Sequence, residues 1–543
     1  MTTSRAEEVS HAIDTAAEAV FEARRPDGVF DYGRRASTLS TASAVTALHC
    51  CDARGSADLV ERGAAWLRAA QSATGGWSAL PGGPDEAGPT AVACATLQLV
   101  APEAAANPIA AGHRWMLEHG GLDALARSDI AACCRWFYSL VGWLDPDRVP
   151  LELVVPPSRF HRALDLRTPV ACALVLARAA RGNQLERLLA RAGAPRAVSL
   201  LRGLQEHVGG GWHEDPWVTG LICAGLARAG FGGELLPGAV AWLRARVNAD
   251  GSWNDAAPEL TWTADAASGL LEAGFGTDER LVPTRELLLR DQQDRPCPAF
   301  GCPAGFWASS GPRDWPAAPE TGAITSVLRR FPGDRSREAV RRGVEWLSAQ
   351  QDSRGSWGPV RNARVPCPHV TAQSLEALLD SGVPAEDRRV RRAVRWLRRA
   401  QRPDGGWDSR RYRPRTATTS AVLQVLVRTG PEASTAVRAA RGLLLRAQLP
   451  DGSWSTGGGE EPGTAEETAW ALGALLAAGV APEGAEIRRG VQWLLDARRP
   501  TGSWSAAPVT EGAGLGARRA NRALADGLAL RALARYRDAA GRN

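Results

Sequence analysis

Apolar residues follow two alternating rhythms along this chain. In segments such as GVEWLSAQ (343–350) and AVRWLRRA (393–400) they fall three and four apart, with charged residues on the remaining face. That spacing predicts an amphipathic helix lying on a core. In segments such as HVTAQSLEALLDSG (369–382) and TAEETAWALGALLAAG (464–479), Ala and Leu cover most of the surface. These predict helices buried on most sides. Turns rich in Asp and Gly separate the two kinds, Gly supplying the positive φ that other residues resist. Alternating outer and inner helices that close into a barrel fit this pattern, with no need for β structure.

The alternation is a repeat. GVEWLSAQQDSRGSW, AVRWLRRAQRPDGGW, ARGLLLRAQLPDGSW and GVQWLLDARRPTGSW end at Trp357, Trp407, Trp454 and Trp504, in steps of 50, 47 and 50 residues. Further copies end at Trp77, Trp212 and Trp253, and a faded one, EARRPDGVF, at Phe30. Each Trp is expected to fold back and staple a helix end, with the Gln lying against its ring. Such staples identify a fold and leave the chemistry open.

Composition adds limits. The chain has 543 residues, 44% hydrophobic and 23% charged, which predicts two domains of ordinary globular balance. Net charge is +6, every basic residue is Arg, and no basic run marks a nucleic-acid face. The opening MTTSRAEEVSHAID lacks a basic region followed by an apolar one, and no 18-residue apolar stretch follows anywhere. A cytoplasmic protein without a transmembrane segment is expected, with peripheral membrane contact left open. Most of the ten Cys, such as Cys94, Cys172 and Cys223, lie in apolar helical runs, as buried thiols do.

The repeats resemble those of the squalene–hopene cyclases and class II diterpene cyclases, the QW-repeat terpene cyclases. The segment from His119 to Pro150 resembles that family's inserted domain, and HEDPWVTGLICAGL, from His213, resembles the stretch leading back to the catalytic barrel. The resemblance implies an all-α fold of two α/α-barrels: a catalytic-type barrel from 1–40 and 256–543, and an inserted barrel over 41–255. The substrate implied is an isoprenoid, in particular a prenyl diphosphate.

Class II cyclases protonate an alkene, which needs a general acid in a dry cavity. The family's Asp-x-Asp-Asp motif falls here on Ala317-Ala318-Pro319-Glu320, so only Glu320 retains an acid. On the next inner helix, the family's acid and His positions become His369 and Gln373. Glu320 held by His369 is therefore the expected replacement acid, its alternative role being to favour a helix N-terminus. Trp262, Trp315 and Trp470 are expected to offer π faces to carbocations. Arg518, Arg519 and Arg522 stand where the family has aromatic residues, and suit a diphosphate.

Two metal readings stand beside this. Glu460, Glu461, Glu466 and Glu467 could hold Mg²⁺ for ionisation of a diphosphate. Cys297, Cys302, Cys367 and His369 offer ligands soft enough for zinc. A binding protein that retains the barrels without catalysis is the third alternative.

Overall fold

The computed structural model describes residues 3–126, 130–145, 167–360, 366–409, 411, 412, 414–455, 462–511 and 518–542. The amphipathic segments form outer helices. In Arg388–Ala400, Val390, Ala393, Val394 and Leu397 are buried, and most of the arginines between them face outward. The Ala-rich segments form inner helices. In Ala465–Ala477 the first eleven residues are all buried.

Each repeat is held by three polar anchors around a buried ring. The Trp407 indole Nε1 donates to Leu397 O at 2.7 Å, tying the turn to the outer helix behind it. Its backbone N–H donates to the Thr419 hydroxyl on the next inner helix at 3.2 Å. Trp357 and Trp454 repeat both bonds, onto Leu347 and Thr371 and onto Leu444 and Thr468. The Gln does not lie on the ring as expected. The Gln401 amide instead donates to Gly405 O (2.9 Å) and Ala436 O (3.0 Å), joining its own turn to the following outer helix. Two backbone carbonyls need donors there, and a side-chain amide has two to give. Gly355 shows why the turn needs glycine. Its φ is +98°, and a Cβ there would lie 2.6 Å from Arg392 O.

The inner helices of the C-terminal half close into a ring. Glu259–Ala273, Ala318–Leu328, Pro368–Asp380, Arg415–Leu426, Ala465–Ala477 and Arg522–Ala540 each pack on the next, and the sixth packs on the first. The outer helix Thr3–Glu22 rests on Arg522–Ala540, so the start of the chain completes this ring's outer layer. At the closing seam glycines let two backbones meet. A Cβ on Gly527 would sit 2.4 Å from Asp265 O, and one on Gly269 would sit 2.7 Å from Gly527 Cα.

In the N-terminal half, Thr38–Asp52 packs against Ala87–Val100 and Pro216–Ala229, and the latter also packs against Arg167–Ala180. Thr38–Asp52 crosses the expected 40/41 boundary yet packs with this group. Pro216–Ala229, inside the 41–255 span, packs here too. Beside the helices, Thr510–Glu511 pairs with Arg518–Arg519 in a two-residue antiparallel ribbon. No described helix is long and apolar enough to cross a membrane.

Candidate active site

The six-helix ring holds a cavity of about 80 Å³. Its wall includes Asp265, His369, Tyr412, Trp470 and Leu524, and further along Gln373, Gln424, Arg531 and Arg535.

Asp265 sits midway along the inner helix Glu259–Ala273, whose other two acids, Glu259 and Glu272, stand near its ends. Protein surrounds it, and the area it retains faces the cavity. Burial pushes its carboxyl up to about 7, against the lowering influence of Arg411 and a hydrogen bond from Asn521. That bond runs from Asn521 Nδ2 to Asp265 Oδ2 over 3.0 Å. The amide is oriented by its other end, where Asn521 Oδ1 accepts from Leu524 N at 3.1 Å and caps Arg522–Ala540. One carboxyl oxygen thus has a fixed donor, and the other is left to carry a proton.

Arg411 supplies positive charge beside this acid. Its Nη2 donates to Glu320 Oε1 at 2.9 Å, and Thr261 Oγ1 donates to the same oxygen at 3.2 Å. Glu320, the acid expected from the sequence, is buried and serves here as the counter-charge of Arg411. His369 does not pair with it among the described contacts. Its ring packs edge-on against Tyr412 with centroids 4.5 Å apart, and its buried Nδ1 has no partner among the described residues. Burial, then the charge of Arg411, lowers its imidazole to about 3, so the ring is neutral. Tyr412 in turn meets Trp470 at 5.1 Å, which makes one continuous aromatic wall.

The other expected residues fall in different places. Gln373 and Trp470 line the cavity. Trp262 packs against Tyr32 at 6.3 Å. Trp315 is packed between His213 (4.9 Å) and Phe300 (5.5 Å), where the two halves meet, and it does not line this cavity. His213 and Glu214 hold positive φ there without being glycine, a local strain at the junction. Arg522 is half exposed and pairs with Asp526 at 3.4 Å. The side chains of Arg518 and Arg519 lie outside the described residues, but their backbone ribbon is joined through Thr510 to Tyr412.

Glu460 and Glu461 also lie outside the described residues. Glu466 Oε1 accepts from Ala507 N at 2.9 Å and Glu467 Oε1 from Thr416 Oγ1 at 2.8 Å, so the two carboxylates serve different neighbours. Burial raises Glu466 to about 7, which disfavours the charged form a cation would need. Among the described residues no three His, Cys, Asp or Glu side chains group as a metal site. The zinc expectation meets the same finding: Cys367 contacts Ser409 at 3.2 Å, and His369 faces Tyr412.

Sequence reading missed Asp265, Arg411, Asn521, Arg531 and Arg535. A single acid in the middle of the helix, in TWTADAASG, is the one local signal for Asp265.

Comparison with known proteins gives the family and the fold. The family model for the squalene-hopene cyclase N-terminal domain matches residues 13–165, and that for the C-terminal domain matches 362–537. A squalene–hopene cyclase of Alicyclobacillus acidocaldarius is 27% identical over 91% of this chain and 92% of its own. One from Schizosaccharomyces japonicus is 28% identical over 45% of this chain and 44% of its own. The solved ent-copalyl diphosphate synthase of Streptomyces platensis shares the fold at 19% identity, with a TM-score of 0.51, over 97% of this chain and 99% of that one. With both family domains matched and the helical ring in place, the chain belongs to the squalene–hopene cyclase family of class II terpene cyclases.

Proposed function

We propose that this protein cyclises an isoprenoid by protonating one of its alkenes, with Asp265 as the acid in place of the family's motif. The observation that carries the reading is a carboxyl raised to about 7 inside an aromatic-walled cavity. Such a group holds its proton near neutral pH until a substrate excludes the remaining water. The proton passes from Asp265 to the alkene carbon, whose π electrons form the new C–H bond and leave a cation. Tyr412 and Trp470 line the same cavity and are the aromatic groups proposed to stabilise that charge. The carboxylate left behind accepts from Asn521 and lies in the field of Arg411, which Glu320 holds in place. Loss of a proton or capture of water ends the reaction.

The expected substrate is a prenyl diphosphate or a related isoprenoid, and Mg²⁺-assisted ionisation is the competing chemistry. Incubation with farnesyl diphosphate, geranylgeranyl diphosphate and squalene, with and without Mg²⁺, separates them by mass spectrometry. A cyclic product that retains its head group, and disappears with Asp265→Asn, supports the reading. Released pyrophosphate from an active Asp265→Asn protein overturns it.

A further inference from the structure

The N-terminal half carries a pair of thiols that the cyclase chemistry does not use. Cys51 lies in the last turn of Thr38–Asp52, and Cys223 lies midway along Pro216–Ala229. Their Sγ atoms are 3.3 Å apart, although 172 positions separate them in the chain. The two helices meet backbone to backbone. A Cβ on Gly220 would sit 2.4 Å from Ser43 Oγ and 2.6 Å from Ser43 C, and Ser43 Oγ donates to Trp217 O at 2.9 Å. A disulfide holds its sulfurs about 2.05 Å apart, so these need only about 1.3 Å of further approach (3.3 minus about 2.05), within reach of side-chain rotation. Access divides the pair. Of the ten cysteines, Cys50 and Cys51 are partly exposed and the other eight, Cys223 among them, are buried. Contact with Cys51, and then burial, hold the Cys223 thiol well above its usual range, so it keeps its proton. Arg228, whose Nε is buried without a partner among the described residues, brings positive charge to the same spot and opposes the rise of Cys50. Such a charge favours a thiolate. Cys297 and Cys302 also face each other across a backbone bridge, but both are buried, which keeps a dissolved reagent away.

We infer that Cys51 and Cys223 are a modification site, which closes into a reversible disulfide by exchange with a small dissolved disulfide of the glutathione type. The accessible Cys51 reacts first. Its thiolate attacks one sulfur of the dissolved disulfide, whose S–S bond breaks and releases one thiolate. Cys223 then attacks Cys51 Sγ in the mixed disulfide, and its proton leaves with the second released thiol. Two protein thiols lose two electrons and two protons, and one dissolved disulfide is reduced to two thiols. The new bond staples two inner helices of the N-terminal half and closes a long loop in the unfolded chain, where a cross-link restricts most freedom.

The test uses the whole, unmutated protein. It is reduced, freed of reductant, incubated while folded with oxidised glutathione, quenched with N-ethylmaleimide in denaturant and mapped by peptide mass spectrometry. The peptides of Cys51 and Cys223 should be recovered joined, two hydrogen masses lighter than their sum, with Cys50 alkylated. The oxidised protein should melt about 4 °C or more higher than the reduced one, and dithiothreitol should reverse both changes. Cys223→Ser should leave Cys51 as a mixed disulfide with glutathione, because the second thiol is gone. Cys50→Ser should leave the joined peptides as they were. Recovery of Cys51 unreacted, or carrying glutathione alone, in the unmutated protein overturns the inference. So does a main product that joins Cys50 to Cys51 or to Cys223. None of these readouts needs turnover, so the thiol pair stands or falls apart from the cyclase reading.

Discussion

Asn521 Nδ2 donates to Asp265 Oδ2 across 3.0 Å, joining two residues 256 positions apart in the chain. The same amide caps the helix that closes the ring. Acid geometry and ring closure therefore share one side chain. Asn521→Ala should lose the cap, costing about 0.5–2 kcal/mol. It should also raise Asp265 further, because the bond from Asn521 lowers it. The alkaline limb of the pH–rate profile should then move to higher pH, with a lower maximum. A profile that keeps its position would remove Asn521 from the acid's control.

Asp265→Asn keeps the size of the side chain and removes the proton. Turnover should fall by about 10²–10⁴-fold, the usual share of a general acid. The helical circular dichroism should be unchanged. Asp265→Glu should recover part of the rate if the cavity admits the longer arm.

Stability should fall as pH rises through neutrality. Asp265 and Glu466 are raised to about 7 and Asp526 to about 6, in each case first by burial. In the unfolded chain such groups ionise near 4. Between about pH 4 and 7 the native state holds more protons than the unfolded state, so the slope of unfolding free energy with pH is negative. The contribution is complete below about pH 4 and lost by about pH 8. Unfolding free energies from urea titration should be larger at pH 5 than at pH 8, and Asp265→Asn should narrow that gap by about 1–4 kcal/mol. The variant that abolishes the reaction should thus be the more stable protein at pH 8.

Gly527→Ala tests the seam. The added methyl would meet Asp265 O at 2.4 Å, a backbone atom that cannot swing aside. A loss of about 1–3 kcal/mol is expected, with reduced turnover because the Asp265 helix must shift. An unchanged melting temperature would mean the two helices tolerate separation.

The repeat and its Trp spacing made the helical ring legible, because each anchor is local: Trp407 reaches Leu397 ten residues back and Thr419 twelve ahead. The acid was not legible for the opposite reason. What distinguishes Asp265 comes from Asn521 and Arg411, which belong to other elements far along the chain. Glu320 was singled out by its place in a motif, whereas its partner Arg411 lies 91 residues away. Trp470 and Gln373 reach the cavity wall from inner helices whose pattern gives both helix and face. Trp315 was misplaced because a Trp beside a motif reads the same whether it faces a cavity or a junction.

The ring seam also governs the order in which the protein can be made. Glu259–Ala273 leaves the ribosome 249 residues (522 minus 273) before Arg522–Ala540, the helix that covers it. At about 5–20 residues per second, translation takes tens of seconds to reach that partner. The Thr3–Glu22 helix waits longer still: Arg5 bonds to Gln492 at 3.0 Å, across 487 positions. During that interval the apolar faces of both helices lack their final cover. They are natural binding sites for a nascent-chain chaperone, and yield in the cell should depend on one more than the finished protein's stability suggests.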